Sequence, residues 1–243
     1  MDALLRSSLL IRNGFRHAFT LRPEEKETDG PESLEALRQR AARAVECAPE
    51  RLYEVTQVHS AVVEKVDGER KSEALLPRQA DALVSSAPNT AVGVRVADCL
   101  PLLVGDPVTG AAAAIHAGWR GVEAGVVRAA VEALLSVPGV RAPNLLAAIF
   151  PHIRPCCFEV GQEVADRLQA PYRDVSVLSR PERDKPPVDL AAIVRTQLAS
   201  SGVAADRVDD VAGCTRCDPE RFYSYRRLGQ LAGRHLAAIA VRC

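Results

Sequence analysis

Short apolar runs separated by turn-forming residues dominate the chain from Asp81 onward. Four such runs are dense in apolar residues, and turn signals such as SAPNT and DPVTG separate them. This pattern is typical of buried β-strands, and we expect the four to lie together in a central sheet. They are DALVSS, AVGVRVA, LPLLVGD and GAAAAIHAG; two later segments, NLLAAIF and DVSVLS, are also strand-like.

Apolar residues recur at helical spacing in the segments that flank these runs. A first helix is predicted in LEALRQRAARAVECA, capped by Ser33 or by the preceding turn. Alternation of strands and helices favours an α/β or an intimately mixed α+β layered domain, and no linker is long enough to divide residues 1–243 into two domains. The other predicted helices are VEAGVVRAAVEALLS, EVGQEVADRLQ, DLAAIVRTQLASSG and a final one in LGQLAGRHLAAIAV.

Two segments of the first third have a different character. TLRPEEKETDGPES is polar and punctuated by Pro and Gly, which predicts an exposed loop before the first long helix. RLYEVTQVHSAVVEKV alternates and is rich in β-branched residues, which predicts one long strand or a bent hairpin with His59 near its middle.

Composition excludes several classes of function. Lys+Arg and Asp+Glu balance at 31 each, so no global field favours nucleic acid or an acidic membrane surface, and aromatic residues at 4% are too few for a base-stacking platform. No window has the 18 to 20 apolar residues, roughly, that a membrane span needs, and the N-terminal stretch does not resemble a signal peptide. We therefore expect a cytoplasmic protein whose seven cysteines are reduced.

Three residues with metal-compatible side chains lie near the ends of predicted strands: His59 in QVHS, Cys99 in ADCLP and His116 in AIHAGWRG. Two imidazoles and one thiolate suit Zn²⁺ and leave a fourth position open for water or substrate. Spacing alone is a weak signal, and for any one of these residues taken singly a structural role in the core is the favoured interpretation. Cys99 and one histidine also fit a nucleophile–base pair.

The remaining cysteines have simpler interpretations. Cys47 and Cys243 are expected to be incidental, and PCCFEVG places two adjacent cysteines in what is predicted to be a buried turn. CTRC has the spacing of metal ligands, but it lacks a second pair and predicts only an incomplete zinc site.

Charged residues near these motifs suggest an anion site. Arg120 lies where a helix begins, and the tandem Arg226 and Arg227 follow the aromatic cluster FYSY. A solvated face is the simpler interpretation for at least one of the tandem pair. Asp98 precedes Cys99 and is either a partner or acid/base for the site or a capping carboxylate.

Taken in order, these motifs resemble the YfiH-like laccase-domain family, also called polyphenol-oxidase-like and now purine nucleoside phosphorylases. The resemblance spans most of the chain and depends chiefly on DCLP, HAGWRG and FYSYRR, supported by HAFTLR, QVHS, ADALVSS and PCCFEVG. It implies a single α+β domain of mixed sheets flanked by helices, over residues 1–243. It also implies a zinc ion held by His59, Cys99 and His116.

The activity that the resemblance implies is phosphorolysis of adenosine, inosine and methylthioadenosine, with adenosine deamination alongside. Arg120 and one of Arg226 and Arg227 would then bind phosphate, and Asp98 would assist the catalytic metal ligands. Purine nucleosides and phosphate are the implied partners. Cu²⁺ is conceivable only as an adventitious occupant of the zinc site.

The sequence departs from the family pattern in three stretches. PEEKETDG replaces a loop that usually contains paired glycines, LAGR stands where Thr-Gly-Arg is usual, and FPHIRPC has Phe150 and Arg154 in place of glycines. These differences predict a change in pocket shape and substrate range.

Three other functions compete with this interpretation. A multicopper oxidase is rejected, because five histidines and a single methionine, Met1, supply too few ligands for a blue-copper centre and a three-copper cluster. A cysteine- or metal-dependent amidase that edits peptidoglycan precursors uses the same residues and stays open. A metal-dependent binding protein without turnover would require a shallow site.

Overall fold

Eleven strands and seven α-helices lie in the ranges that this computed structural model describes, residues 4–23, 31–172, 176–178 and 184–242. The strands are β1 (Leu4–Leu5), β2 (His17–Thr20), β3 (Leu52–Tyr53), β4 (Val63–Val66), β5 (Ala82–Ser85), β6 (Ala91–Val96), β7 (Leu100–Gly105), β8 (Ala112–Ala117), β9 (Leu146–Ile149), β10 (Val208–Asp210) and β11 (His235–Ala240). The helices are α1 (Ser8–Arg12), α2 (Leu34–Ala44), α3 (Trp119–Ala124), α4 (Val126–Leu135), α5 (Gln162–Gln169), α6 (Leu190–Ser200) and α7 (Tyr225–Leu228). Within the same ranges, no helix has both the length and the apolar character that crossing a bilayer requires.

The strands form two mixed sheets. The first sheet has the order β1-β2-β11-β6-β3, and the second has the order β10-β9-β7-β8-β5-β4. Three pairs are parallel, β3 with β6, β4 with β5 and β9 with β10, and the rest are antiparallel. The α+β class is thereby confirmed. The expectation of one central sheet is wrong, because β6 lies in the first sheet whereas β5, β7 and β8 lie in the second.

Three apolar cores hold four layers together. Between the sheets, Phe19 and Ile239 of the first pack against Leu103 and Ala148 of the second. The outer face of the first sheet packs on α2, and the outer face of the second packs on α4 and α6. Both faces of the central strands are therefore buried, and these strands appear in the sequence as continuous apolar runs.

The prediction of a final helix in LGQLAGRHLAAIAV is wrong. Residues 225–228 form the short α7, and the rest of that segment leads into strand β11, with His235 at its start. Leu236 and Ala238 face the core shared with α2, whereas Ala237 and Ile239 face the other sheet. A strand that is buried on both faces shows no alternation of polar and apolar residues, and its alanines favour a helix. The sequence pattern therefore predicted a helix where the structure has a strand.

The segment predicted as one long strand or hairpin is instead two short strands in different sheets. β3 pairs with β6 in the first sheet, and β4 pairs with β5 in the second. Residues 54–62 cross from one sheet to the other, and His59 lies on this crossing with a φ of 62°. A left-handed φ is uncommon for a residue other than glycine and marks a constrained position.

Most of the predicted helices are confirmed, with local differences. Ser33 Oγ accepts a hydrogen bond from the Ala36 N–H at 3.1 Å, as the predicted cap requires. The helix expected after the Gly-Trp-Arg-Gly turn is divided into α3 and α4 at Gly125, whose φ is 87°. Part of DVSVLS, most of the PEEKETDG loop and Cys243 lie outside the described residues.

His17 and His235 are structural core residues. Each is fully buried, each ring Nε2 accepts a hydrogen bond from a backbone N–H, and each Nδ1 lies within hydrogen-bond distance of a carbonyl oxygen. Protonation of Nε2 would place a hydrogen against a donor inside the core. Burial accordingly lowers the pKa of His235 to about 3 and lowers that of His17.

These two histidines predict a loss of stability in acid. The unfolded chain binds protons at both residues below about pH 6.5, whereas the folded chain binds them less readily, so the stability present above that pH is lost as the pH falls. Each fully neutral histidine adds a slope of about 1.4 kcal/mol per pH unit. Urea unfolding between about pH 6 and pH 4 should show a slope lower by that amount for His235→Gln than for the wild type. Equal slopes would contradict the assignment.

Candidate active site

The fold brings His59, Cys99 and His116 together, although 57 residues separate the first from the last. Cys99 directly precedes β7 and His116 lies in β8, and these antiparallel neighbours pair Pro101 with His116. The crossing segment then carries His59 to the same edge. The ligand atoms of the three side chains lie within 4.8 Å of one another, and Cys99 Sγ lies 3.7 Å from His59 Nε2.

This donor set fits a zinc ion. A tetrahedral zinc centre places a thiolate sulfur and an imidazole nitrogen about 3.5 Å apart. Gly118, directly after β8, makes the close approach possible, since a Cβ there would lie 2.8 Å from His59 Cδ2 and 3.1 Å from Cys99 Sγ.

Asp81 is the residue of the site that the sequence analysis missed. Its Oδ1 lies 2.8 Å from His116 Nδ1 and accepts a hydrogen bond from the His59 N–H at 2.9 Å. Its Oδ2 accepts from the N–H and the hydroxyl of Ser60 and from the Val58 N–H. Because Nδ1 of His116 is engaged by Asp81, Nε2 is the nitrogen left to bind a metal. The only signal in the sequence was an acidic residue at the start of an apolar strand.

The charges at the site favour the ionised forms of Asp81 and Cys99. Burial alone would raise the pKa of Asp81, but hydrogen bonds from His116 and Ser60 hold it well below its usual range. Burial would likewise raise the pKa of Cys99, but His116 and His59 lower it to about 6. Burial raises the pKa of the half-buried Cys47 to about 11, although nearby arginines act in the opposite direction. The thiolate required of a metal ligand or a nucleophile is thus favoured at Cys99.

Asp98 lies in the wall of the pocket, and both of its carboxylate oxygens accept hydrogen bonds. Oδ1 accepts a hydrogen bond from the Thr215 hydroxyl, and Oδ2 accepts from the Ser224 hydroxyl and the Arg226 N–H. These bonds tie the turn before Cys99 to the start of α7. Asp98 itself has a φ of 90°, which the same bonds hold in place.

A cavity of about 710 Å³ opens over the three ligands, within the size range of small-molecule sites. Of the residues proposed to bind phosphate, Arg120 and Arg226 line it, and Arg227 does not. The Arg227 guanidinium donates instead to the carbonyls of Thr215, Arg216 and Phe222, so its contacts are structural.

Two further arginines line this cavity, Arg95 and Arg234. The sequence offered a signal for each: a charge within the apolar run AVGVRVA and the arginine of LAGR. Among the residues that line the cavity, four arginines therefore accompany a single carboxylate, that of Asp98. An excess of positive charge in a concave site favours anionic ligands.

The departures at Phe150 and Arg154 do not lie among the residues that line the cavity. Phe150 is fully buried between the sheets and stacks on Phe19, with ring centroids 5.9 Å apart. Arg154 binds the carboxylate of Asp210 and the carbonyl of Gly213. Both substitutions therefore act on core packing and loop anchoring.

All five histidines lie in the described ranges, and only two of them converge. His17 and His235 are bonded to the backbone in the core, and His152 is fully buried with Nδ1 2.9 Å from the Phe150 carbonyl oxygen. A multicopper centre would need many more histidine ligands at one place than His59 and His116.

The two cysteine motifs that seemed unrelated also meet in space. The sulfurs of Cys156, Cys157, Cys214 and Cys217 all lie within 4.8 Å of one another. The expectation that CTRC lacks a second pair is therefore wrong. The expectation of a buried turn at PCC is also wrong, because Cys156 is exposed and Cys157 is half-buried.

The fold and the site define an α+β protein in which two histidines and a cysteine that could hold a metal lie under a basic pocket. Residues 20–242 match the family described as multi-copper polyphenol oxidoreductase laccase, and the chain belongs to this family. The resemblance to YfiH-like proteins is confirmed by relatives that carry that name. One, from Escherichia coli, is named purine nucleoside phosphorylase YfiH and is 35% identical over 199 residues, which are 82% of this chain and 77% of the relative.

Other relatives carry names of nucleoside enzymes. A purine nucleoside phosphorylase of Pseudomonas aeruginosa is 37% identical over 201 residues, covering 82% of this chain and 77% of the relative. An adenosine deaminase from an unknown prokaryotic organism is 33% identical over 190 residues, which are 75% of this chain and 72% of the relative.

Solved structures confirm the fold. The YfiH protein of Bacillus licheniformis superposes with a TM-score of 0.88 at 24% identity, covering all of this chain and 97% of that one. A Neisseria meningitidis protein superposes with a TM-score of 0.76 at 29% identity, covering 94% of this chain and 95% of that one.

Proposed function

We propose that this protein is a zinc-dependent purine nucleoside phosphorylase that acts on adenosine, inosine and methylthioadenosine and also deaminates adenosine. The observation that carries the proposal is the position of His59, Cys99 and His116 at a cavity lined by four arginines. Relatives named purine nucleoside phosphorylase and adenosine deaminase support this substrate class.

The arginines provide the anion site that phosphorolysis needs. The Arg120 guanidinium lies over the Trp119 ring, 4.4 Å from its centroid, and Arg226 donates one hydrogen bond to the Glu159 carbonyl. Both are held by these contacts and keep further N–H groups for a phosphate. Charge-assisted bonds of this type are stronger than neutral ones and suit the planar guanidinium.

Aromatic side chains provide surfaces for the purine. Trp119, Phe158 and Tyr225 line the same cavity as the arginines, and two of these rings carry an arginine over one face, Arg120 on Trp119 and Arg226 on Phe158. A cavity that offers both aromatic rings and guanidinium groups suits a nucleoside, whose base is apolar on its faces and whose sugar meets phosphate.

The reaction breaks the bond between the sugar C1′ and the purine nitrogen and forms a bond from C1′ to a phosphate oxygen. The sugar gains oxocarbenium character as the purine leaves, as in glycoside cleavage. A bound zinc ion supplies Lewis acidity and lowers the pKa of bound water to about 7. Arg120 and Arg226 hold phosphate, and Asp98, with both oxygens engaged, positions Cys99 and Arg226 and does not transfer a proton.

A cysteine-dependent amidase acting on peptidoglycan precursors is the second candidate. The order Asp81, His116, Cys99 does match an orienting acid, a base and a nucleophile. The position of His59 favours a metal site over this amidase. A Cys–His–Asp triad needs only one imidazole, whereas His59 places a second one 3.7 Å from the thiol of Cys99.

The deciding assay measures free purine released from each nucleoside by the wild-type protein, with and without phosphate. We expect release only with phosphate, with one sugar 1-phosphate formed for each purine. Arg120→Met should raise the KM for phosphate about tenfold, the effect of one charged hydrogen bond. Arg128→Met, an exposed arginine of α4, should leave it unchanged. Phosphate-independent release, or amide cleavage without purine release, would overturn the proposal.

A further inference from the structure

Four free thiols from two distant motifs meet at one place outside the cavity lining. Cys217 Sγ lies 3.6 Å from Cys156 Sγ and 3.3 Å from Cys157 Sγ, and all four sulfurs lie within 4.8 Å of one another. Tetrahedral zinc with four cysteine ligands separates its sulfurs by about 3.8 Å. The four sulfurs are therefore close enough together to bind one ion.

Backbone hydrogen bonds position both motifs. Thr215 N–H donates to the His152 carbonyl at 3.1 Å, which brings the CTRC turn against the loop after β9. Cys157 N–H donates to the Arg154 carbonyl at 2.8 Å, which closes the turn that presents the adjacent cysteines. Cys214 in turn accepts hydrogen bonds from backbone groups of Arg154 and Arg216, as metal-bound thiolates often do.

Core packing does not explain the cluster. Cys156 and Cys217 are exposed, and Cys157 and Cys214 are half-buried, whereas cysteines that act as small apolar residues are usually fully buried. Exposed thiols that converge without a ligand would be open to oxidation. A shared cation accounts for the convergence and protects the sulfurs.

We infer that Cys156, Cys157, Cys214 and Cys217 form a second metal site, which binds one thiophilic divalent cation, Zn²⁺, through four thiolates. The site is closed, with four protein ligands and no open position, and so is structural. It joins the loop that carries Ile153 and Phe158 to the turn that carries Thr215. The first two line the cavity and Thr215 bonds to Asp98, so the ion fixes one wall of the pocket.

The test isolates the four-cysteine site by removing Cys99 from the cluster of His59, Cys99 and His116. Cys99→Ala leaves the four-cysteine cluster intact, and its metal content after purification under reducing conditions is the primary measurement. We expect about two zinc ions per chain in the wild type, about one in Cys99→Ala, and about none after a further Cys217→Ser substitution. Cobalt loaded into the Cys99→Ala protein should show intense sulfur-to-cobalt charge-transfer bands, which Cys217→Ser should weaken.

Two outcomes would overturn the inference. One is a folded Cys99→Ala protein that neither retains zinc nor takes up cobalt under reducing conditions. The other is the recovery of the four cysteines as two disulfides without metal. Neither depends on nucleoside turnover, so failure of the phosphorylase proposal would leave this result intact. Cys47→Ser, remote from both clusters, should keep about two zinc ions.

Discussion

Replacement of Cys99 by alanine is expected to lower purine release by about 10³-fold, equivalent to about 4 kcal/mol of transition-state stabilisation. The substitution removes the only sulfur of the triad and leaves two imidazoles, which bind zinc far more weakly than three ligands. The same variant should lose about one zinc ion per chain. Turnover of inosine with saturating phosphate and metal content of the same preparation provide the two measurements.

The matched control for this prediction is Cys47→Ala. Cys47 packs against the core beneath α2 and touches no residue of the site, so this variant should keep both activity and zinc. A Cys99→Ala protein that loses zinc but keeps phosphorolysis would show that the triad is not catalytic. A wild-type protein without zinc that loses amidase activity on the same substitution would favour the cysteine hydrolase.

Asp81→Asn is expected to weaken zinc binding and turnover by 10- to 100-fold, roughly, because one carboxylate positions two of the three ligands. Asp81 orients the His116 ring and accepts from the His59 N–H, and it is completely buried. An asparagine would turn its NH₂ group toward donors of Ser60 or His59, leaving buried donors without acceptors at about 1–3 kcal/mol each. Zinc competition with a chromophoric chelator and kcat for inosine would measure the effect.

Asp106→Asn is the matched control for the second prediction. Asp106 is equally buried, but it accepts from the Val108 N–H and the Thr109 hydroxyl at the opposite end of β7. We expect both variants to unfold at lower urea concentrations and only Asp81→Asn to lose zinc affinity. Equal zinc affinities in the two variants would show that Asp81 is structural alone.

Sequence reasoning singled out His59, Cys99 and His116, which the structure brings together, because each residue interrupts or ends an apolar strand and the motifs around them are specific. It missed Asp81, since an acidic residue before a strand has many structural uses and its partners are distant in sequence. It missed the meeting of PCC and CTRC for the same reason, since nothing local connects turns 57 residues apart. It misjudged β11 because a strand buried on both faces does not alternate.

The sheet order was likewise beyond the sequence. Residues 54–62 leave one sheet and enter the other, and the alternating pattern on both sides of the crossing is that of a single strand. The left-handed φ of His59 accompanies a hydrogen bond that its N–H donates to the carboxylate of Asp81. Such tertiary constraints leave no periodic signal.

The central position of β11 has a consequence for how the protein is made. It is the last strand of the described chain, yet it lies between β2 and β6 in the middle of the first sheet. On the ribosome, β2 and β6 emerge long before the strand that separates them, and each presents an unpaired edge until β11 is synthesised. Arg226 and Arg234 emerge in the same final stretch. A nascent chain therefore carries two exposed strand edges and no finished pocket, and both are completed in one late step.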